Sequence, residues 1–396
     1  MLNLRLYITI HFYRIWALAL SLFSSPRPPK NDRSVLFLTA FFSENAGYEW
    51  RVAKWAEILE KEGYNVTIAS AITKEDFTQL YQKNMSLFLI KFLKKRFRQV
   101  LEAKKYDKVI VRRELLLYND YGNLFLDKLL LKMHPQAILD FDDDIAYAKR
   151  EPKEITSFFA KRLHEHPSKF TALLSCYQRF TVGSDYLKSY LLGNTLSVKE
   201  SDILVLPTCV DYDQYAPKKY SSNEELVFGW IGSDGNQCLI DTIVPALNTI
   251  AAKHSVCLRV ISGTPYSHKE AQFPIENVVW SLADEVAQLK EITIGLMPLN
   301  DTREDRGKAG FKLIQYMGLG IVSVASGITV NNVIIDHKKD GFLVKPEEDW
   351  AEVLTEVIAQ KERFAQIGAA AREKIAQNYS FNSNQKNYLS FLESSS

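Results

Sequence analysis

The chain has 396 residues, which is more than one ordinary hydrophobic core accommodates and favours two domains. Its composition, 46% hydrophobic, 12% aromatic and 24% charged, excludes disordered, collagen-like and low-complexity chains. Forty-nine Lys and Arg against 47 Asp and Glu leave a formal charge of +2, so the sequence does not indicate a nucleic-acid partner.

Residues 1–33 form an apolar N-terminal segment that ends in a Pro-rich linker. Residues 6–23 are just long enough to span a bilayer, but Arg14 near their middle would cost about 2.5–3.5 kcal/mol there. An interfacial or anchoring helix is the favoured interpretation, and a spanning helix, a signal peptide and an overlong gene start are the alternatives. Residues 26–29 contain three prolines and predict a stiff linker, so the globular part should begin near Ser34.

From there, apolar strands alternate with helical patterns in two series. In a first domain, residues 34–212, strands are predicted at 35–42, 65–70, 108–111, 137–141, 180–182 and 203–207. In a second domain, residues 226–379, they are predicted at 226–231, 257–261, 278–280, 292–297, 321–325 and 342–344. Nearly continuous apolar strands between helices indicate parallel sheets covered on both faces. We therefore predict an α/β fold of two tandem doubly wound, Rossmann-like domains, joined by residues 213–225, with the ligand in a cleft between them.

Two loops of the first domain are candidates for binding an acceptor, meaning the second substrate of a group-transfer reaction. Asn45 and Gly47 lie in the loop that follows the first strand, which should face the cleft. Asp142, Asp143 and Asp144 follow the strand at 137–141, where carboxylates can orient acceptor hydroxyls. Capping of the next helix explains the acidic run equally well.

A basic amphipathic stretch, residues 87–105, lies between these two loops. It mixes Phe88, Phe92 and Phe97 with lysines and arginines, as helices on anionic membranes do. A helix that covers the sheet and has a solvated basic side would show the same pattern, so both interpretations stay open. Together with the apolar N-terminus, the stretch favours peripheral membrane binding.

The start of the second domain contains a candidate phosphate loop. Gly232 and Ser233 end the strand at 226–231 and open a helix, which allows a ligand to approach the backbone closely. The spacing is not that of a dinucleotide fingerprint, and an ordinary strand-to-helix turn is the commoner meaning.

The most informative stretch is 297–320. If residues 309–317 are helical, Lys308, Lys312 and Gln315 fall within about 60° of one another. The other faces are apolar or glycine, which indicates a buried helix, and buried ammonium groups need an anion. Both lysines lie at the N-terminal end, where the helix dipole also favours negative charge. We predict that they bind a diphosphate, with Arg306 as a third cation; pairing with Glu304, Asp305 or another carboxylate is the alternative.

No metal site is predicted. The cysteines at 176, 209, 238 and 257 are far apart, without a CxxC pair or a His at ligand spacing, which favours reduced thiols in a cytosolic compartment.

Several segments together resemble the GT-B-fold glycosyltransferases of family 4, retaining and metal-independent enzymes of bacterial cell-envelope and polysaccharide synthesis. The resemblance covers nearly all of residues 34–379. It is carried by the order and spacing of ILDFDDDI, VGSDYL, LPTCVD, FGWIGS, IGLMPLND, RGKAGFKLIQYMGLGIVSVAS and DGFLV. It implies the GT-B fold, with residues 380–396 packing back on the first domain. It also implies transfer of a sugar from a nucleotide diphosphate-sugar with retention at the anomeric carbon.

The resemblance assigns roles in the second domain. It implies that cations and backbone amides there hold the donor phosphates, in agreement with Lys308 and Lys312, with Gly232, Ser233 and Gly310 around the donor. The family commonly carries two Glu residues seven positions apart, but here Gly307 and Gln315 stand at those positions. Gln315 would bind the ribose hydroxyls, and Glu304 or Asp305 could replace the first Glu.

The sequence therefore predicts a glycosyltransferase at the inner face of the cytoplasmic membrane that moves a sugar to a glycan or lipid-linked acceptor. No cofactor or metal is expected. Two alternatives remain: a nucleotide-sugar epimerase of the same fold, and a catalytically degenerate protein that binds nucleotide or glycan. An epimerase would convert a donor without acceptor, and a degenerate protein would bind ligand without turnover.

Overall fold

The computed structural model describes residues 2–26, 32–40, 42–43, 45–76, 78, 85–116, 124–143, 167–195, 197–221 and 225–394. Most of the predicted Pro-rich linker and part of the predicted interdomain linker therefore lie outside the described residues. The chain divides into two units, Met1–Pro207 with Asn387–Ser396, and Thr208–Lys386.

The first unit contains strands β1 Ser34–Thr39, β2 Asn65–Ser70, β3 Lys108–Arg112, β4 Ile138–Phe141, β5 Arg179–Val182 and β6 Ile203–Val205. Its helices are α1 Leu2–Phe23, α2 Ala46–Tyr48, α3 Lys54–Lys61, α4 Lys74–Asp76, α5 Met85–Glu102, α6 Phe125–Met133, α7 Pro167–Leu174 and α8 Asp185–Asn194. A π-helical turn, Glu49–Ala53, joins α2 to α3, and 3₁₀ turns lie at Ala103–Lys105 and Glu200–Asp202.

The second unit contains strands β7 Leu226–Ile231, β8 Val256–Ser262, β9 Ile275–Val279, β10 Ile294–Met297, β11 Val322–Ser326 and β12 Phe342–Val344. Its helices are α9 Cys238–Asp241, α10 Val244–Ala251, α11 Glu285–Lys290, α12 Arg303–Arg306, α13 Phe311–Gly318, α14 Asn331–Ile334, α15 Trp350–Ala359 and α16 Phe364–Asn378, followed by α17 Phe381–Glu393. Asp234–Asn236 and Lys361–Arg363 are 3₁₀ turns.

Each unit is built on a six-stranded parallel sheet. The strand orders are β2-β1-β3-β4-β5-β6 and β12-β11-β10-β7-β8-β9. Strands β1, β4, β5, β10 and β11 are buried along their whole length, which explains why they are mostly apolar in the sequence. The predicted α/β fold with two doubly wound sheets is confirmed, and each predicted strand overlaps an observed one.

The basic stretch of the first unit is helix α5, and its aromatic side chains are buried. Phe88, Phe92 and Phe97 are each at most 2% exposed and belong to the core of this unit, whereas Lys91 and Lys94 are exposed. Of the two interpretations of this stretch, the structure shows a packed helix with a solvated basic side.

Helix α1 packs on the same core. Leu6, Ile10 and Ala17 are each 1% exposed, and the Tyr13 ring contacts the Phe97 ring of α5 at a centroid distance of 4.8 Å. By length and composition alone, residues 4–23 could also cross a membrane.

The C-terminal helix contributes to the first unit. The Tyr388 ring packs on Trp55 of α3 at a centroid distance of 4.6 Å, and the carboxylate of Glu393 lies 3.3 Å from the guanidinium of Arg33.

The described part of the predicted linker, residues 213–221 and 225, belongs to the second unit and is hydrogen-bonded within it. Tyr215 is 1% exposed, the Lys218 amide donates to the Leu319 carbonyl at 2.8 Å, and the Tyr220 hydroxyl donates to the Thr293 carbonyl at 3.2 Å.

Candidate functional site

The strand order of the second sheet places a candidate ligand site between β7 and β10. Strands β7, β8 and β9 follow one another outward in one direction, whereas β10 lies on the other side of β7. In open α/β sheets, ligands bind outside the carboxyl ends of the strands where the order reverses in this way. The loops at this point are residues 232–237 after β7 and 298–310 after β10.

The two central strands separate at their carboxyl ends. Their pairing is limited to Ile294 with Phe228 and Gly295 with Gly229. Beyond it, the Ile231 amide donates to the Tyr316 hydroxyl of α13 at 3.0 Å. A side-chain hydroxyl thus replaces the missing strand partner at the predicted ligand position.

The loop after β7 is held by its own polar side chains. Asp234 accepts hydrogen bonds from the amides of Gly263 and Thr264 at 3.0 and 3.1 Å. Ser233 is exposed, and its hydroxyl accepts from the Asn236 amide group at 2.9 Å. These bonds hold the backbone of the loop in place.

Lys308 reaches this loop, but it does not lie on the helix as predicted. Helix α13 begins at Phe311, because Gly310 precedes it with a left-handed φ of 72°. The Lys308 ammonium pairs with the Asp305 carboxylate at 2.7 Å and donates to the Asn236 side-chain oxygen at 3.2 Å. The helical spacing that linked Lys308 to Lys312 is therefore wrong, because the helix begins only at Phe311. Lys308 pairs with Asp305, one of the carboxylates named as the alternative, and its contact with a diphosphate stays a prediction.

Lys312 lies against the backbone of the same loop. A Cβ atom at Gly232 would stand 2.8 Å from the Lys312 Cε atom and 2.6 Å from a ring carbon of Trp230. The Lys312 ammonium lies 5.2 Å from the centre of the Trp230 ring, at cation–π distance. Glycine at 232 is thus needed for Lys312 to lie beside the loop.

Arg306 and Glu304 lie on the short helix α12, within the loop after β10. The Arg306 guanidinium makes two bonds to the exposed carboxylate of Asp301, at 2.6 and 2.7 Å, and this hydrogen bonding lowers the pKa of Asp301. Glu304 is half-buried. The role of Arg306 as a third phosphate-binding cation stays a prediction.

Gln315 is placed in a buried polar chain. It is 3% exposed and hydrogen-bonded to Tyr215, whose hydroxyl donates to Glu285 at 3.2 Å. Glu285 also accepts from the Trp280 indole at 2.8 Å. Burial and the nearby Glu285 charge raise the pKa of Tyr215 well above its ordinary value, which keeps its hydroxyl a neutral donor. The structure thus provides a protein partner for Gln315, and its contact with a ribose stays a prediction.

In the first sheet the strand order reverses between β1 and β3, which defines a second candidate position. Asn45 and Gly47 lie in the loop after β1. The Asn45 side chain accepts from the Gly47 amide at 3.0 Å, so Asn45 caps the short helix α2. A Cβ atom at Gly47 would stand 3.8 Å from the Arg112 guanidinium, which is therefore close to this loop.

A buried charge cluster occupies the carboxyl ends of β3 and β4. Asp140 accepts hydrogen bonds from Arg51, from Arg112 at 3.1 Å and from the Thr181 hydroxyl at 2.6 Å. Arg112 also pairs with Asp142 at 2.5 Å. Sequence reasoning missed both arginines, because their partners lie in and directly after β4, far from them in the chain.

This pairing changes the interpretation of Asp142. Although burial by itself would raise the pKa of Asp142, the charges of Arg112 and Arg51 lower it well below its ordinary value. The Asp142 carboxylate pairs with Arg112, and its contact with an acceptor stays a prediction. Asp143 is exposed, and Asp144 lies outside the described residues.

Within the described ranges, no group of three or more His, Cys, Asp or Glu side chains is arranged to hold a metal ion. The expectation that no metal is required stays a prediction.

No protein-family model matches the chain, and no curated protein is similar to it in sequence. Solved structures are similar in fold. A glycosyltransferase from Rickettsia africae has a TM-score of 0.61 at 15% identity, over 92% of this chain and 100% of that one. Sucrose-phosphate synthase from Thermosynechococcus elongatus has a TM-score of 0.61 at 13% identity, over 90% and 98%. Anabaena HepE, in complex with UDP-glucose, has a TM-score of 0.60 at 12% identity, over 90% and 99%. With its two parallel sheets, the chain therefore has the GT-B fold of these glycosyltransferases.

Proposed function

We propose that the protein is a retaining glycosyltransferase of family 4 type that transfers a sugar from a nucleotide diphosphate-sugar to a glycan or lipid-linked acceptor in cell-envelope or polysaccharide synthesis. The fold supports glycosyl transfer, since enzymes of this activity share it over nine-tenths or more of the chain. The HepE complex with UDP-glucose supports a nucleotide-sugar donor.

One observation carries the proposal: two lysines meet at one glycine-containing loop where the second sheet reverses its strand order. Lys312 lies beside Gly232, and Lys308 reaches Asn236 of the same loop. Fixed cations beside backbone that a ligand can approach closely are what a diphosphate requires. Gly310 and Ser233 complete the proposed donor site.

The lysines would act mainly on the leaving group. Cleavage of the bond to the anomeric carbon leaves a nucleoside diphosphate, whose growing negative charge nearby cations stabilise. The Lys308 ammonium pairs with Asp305 at 2.7 Å, so a diphosphate at Lys308 would compete with that carboxylate. The leaving phosphate would accept the proton of the acceptor hydroxyl on the same face, and no side-chain base is needed.

The acceptor would bind at the loops of the first unit. Asn45, Gly47 and Asp143 would face it, whereas Asp142 would act by holding Arg112 in position. The proposal includes a cytoplasmic location with peripheral contact at the inner face of the membrane, where lipid-linked acceptors are found.

The first experiment is a thermal-shift panel of UDP, GDP and ADP and their sugars, without and then with Mg²⁺. We expect one nucleotide to raise the melting temperature without metal, because ligands that bind only the folded state stabilise it. A shift that depends on Mg²⁺ would contradict the metal-independent site, and no shift would contradict the donor site.

The phosphate assignment is tested with Lys312→Ala, and Lys253→Ala, an exposed lysine of the same unit, is the matched control. We expect affinity for the bound nucleotide to fall about tenfold or more in Lys312→Ala, since a hydrogen bond to a charged group contributes roughly 1.5–3 kcal/mol. Lys253→Ala should bind like the wild type.

Product analysis then separates the enzyme classes. We expect a glycosylated acceptor whose anomeric configuration, assigned by NMR, matches that of the donor. Conversion of the donor without an acceptor would indicate an epimerase, and tight binding without turnover a degenerate binding protein.

A further inference from the structure

Helix α1 has a second apolar face that the first unit does not cover. We call it the outer face, and it consists of Leu4, Ile8, Phe12, Ile15, Trp16, Leu22 and Phe23, which are 44–89% exposed. We infer that the outer face inserts into the interfacial layer of an anionic membrane, with the helix axis parallel to the membrane plane. This inference specifies the membrane contact included in the proposed function.

The outer face lies opposite the face that packs on the protein. At about 100° per residue, the centre of the outer face is roughly 170° from that of Leu6, Ile10 and Ala17. Those three side chains are each 1% exposed and form part of the core. A helix that is apolar on two opposed sides needs a second apolar environment besides the protein.

The charges around the outer face identify that environment. Helices α1 and α5 contact each other, and together they carry seven Lys or Arg residues and one acidic residue, Glu102. Of these cations, Arg96 is buried and Lys91 pairs with Asp76 of α4. Lys91, Lys94 and Arg98 of α5 are exposed, and so is Arg5 of α1. An exposed apolar face on a pair of helices that also exposes cations matches the boundary between acyl chains and anionic headgroups.

The same charges argue against a second copy of this chain as the occupant. A twofold contact through the outer face would place the same surface of two copies opposite each other. The cations of the two copies would then repel one another. They also distinguish an anionic from a neutral lipid surface, since only the former attracts them.

A spanning orientation conflicts with the packing of the helix. To cross the bilayer, α1 would have to withdraw Leu6, Ile10 and Ala17 from the core and place Arg14 near the hydrocarbon centre. In the parallel orientation, the inner face stays on the protein while only the outer face enters the lipid.

The test uses the full chain and two kinds of vesicle, phosphatidylcholine alone and phosphatidylcholine mixed with phosphatidylglycerol. We expect co-sedimentation with the mixed vesicles, weakened by added salt. The double substitution Ile8→Glu/Ile15→Glu should weaken this binding at least about tenfold, because it places two charges on the inserted face. The control Val279→Glu/Val333→Glu changes two exposed apolar residues of the second unit, 71% and 57% exposed, and should bind within about twofold of the wild type.

Equal vesicle binding by both double variants would overturn the inference. So would resistance of the bound protein to carbonate extraction, which is the behaviour of a spanning helix. Self-association through the outer face without vesicle binding would overturn it as well. Melting temperatures of both variants show that they fold. The nucleotide panel on the same variants separates the two proposals. If nucleotide shifts persist while vesicle binding is absent in the wild type, only this inference fails; if vesicles bind but no nucleotide does, only the donor proposal fails.

Discussion

Two glycines in the loop after β7 have very different surroundings. A methyl group at Gly232 would collide with the Trp230 ring and the Lys312 side chain, whereas a methyl group at Gly235 would meet nothing within 4 Å. The ring is buried and cannot move aside easily, but the Lys312 side chain is flexible. An added methyl group at 232 should therefore displace the proposed phosphate-binding cation.

For Gly232→Ala we expect nucleotide affinity to fall and the free energy of unfolding to decrease by about 1–3 kcal/mol, the usual cost of overpacking. Titration calorimetry and urea denaturation measure the two effects. Gly235→Ala, in the same loop, should change neither appreciably. Equal effects of both substitutions would show that the contact with Lys312 does not matter.

Another single residue, Asp142, makes the stability of the protein depend on pH. Its pKa is lowered in the folded protein by Arg112 and Arg51, against the opposing effect of burial. A carboxyl group with a depressed folded-state pKa stabilises the protein above its unfolded pKa of about 3.9, and this contribution is lost as the pH falls towards the folded-state value.

We therefore expect Asp142→Asn to lower the free energy of unfolding most at neutral pH, with a difference from the wild type that shrinks as the pH falls below about 4. Urea denaturation between pH 7 and pH 3 measures it. A difference that is constant over this range would show that the charge of Asp142 does not contribute.

The element that carries most of the candidate site is helix α13, and its start depends on one residue. Gly310 has a φ of 72°, and a Cβ atom there would stand 2.4 Å from the Ile334 side chain of α14. The sequence pattern predicted the helix, but it could not place the start, because Ala309 and Gly310 also fit a continuous helix. The left-handed turn separates Lys308 from the helix and leaves Lys312 in its first turn.

We expect Gly310→Ala to destabilise the protein by more than about 2 kcal/mol, from left-handed strain and collision together. Gly193→Ala in α8 is the matched control with the opposite sign. The added methyl group at 193 would meet nothing within 4 Å. The substitution should raise the free energy of unfolding by up to about 0.5–1 kcal/mol, since alanine has a higher helix propensity than glycine. Urea denaturation compares the two, and a stabilised Gly310→Ala would contradict the observed cap.

At the scale of the whole molecule, each unit has its own sheet and its own buried core. The proposed donor loops, residues 232–237 and 298–310, belong entirely to the second unit. A bound nucleotide should therefore stabilise that unit directly through its loops.

In hydrogen exchange with mass spectrometry, we expect the nucleotide found in the thermal-shift panel to slow exchange in the two donor loops and in the first turn of α13. The strands of the first unit, such as β1 and β4, serve as the internal reference. Protection confined to the first unit would contradict the assignment of the donor site.

The sequence by itself determined the two-sheet fold, because a strand buried on both faces is largely apolar and each such strand lies within one stretch of chain. It also determined that glycine and lysine residues accumulate around β7 and α13. Only the tertiary structure decided which polar side chains interact. Arg112 pairs with Asp140 and Asp142, and Gln315 is hydrogen-bonded to Tyr215. These pairs join residues 28 to 100 positions apart, and a contact across such a distance depends on strand order and on where a helix begins, which local periodicity does not contain.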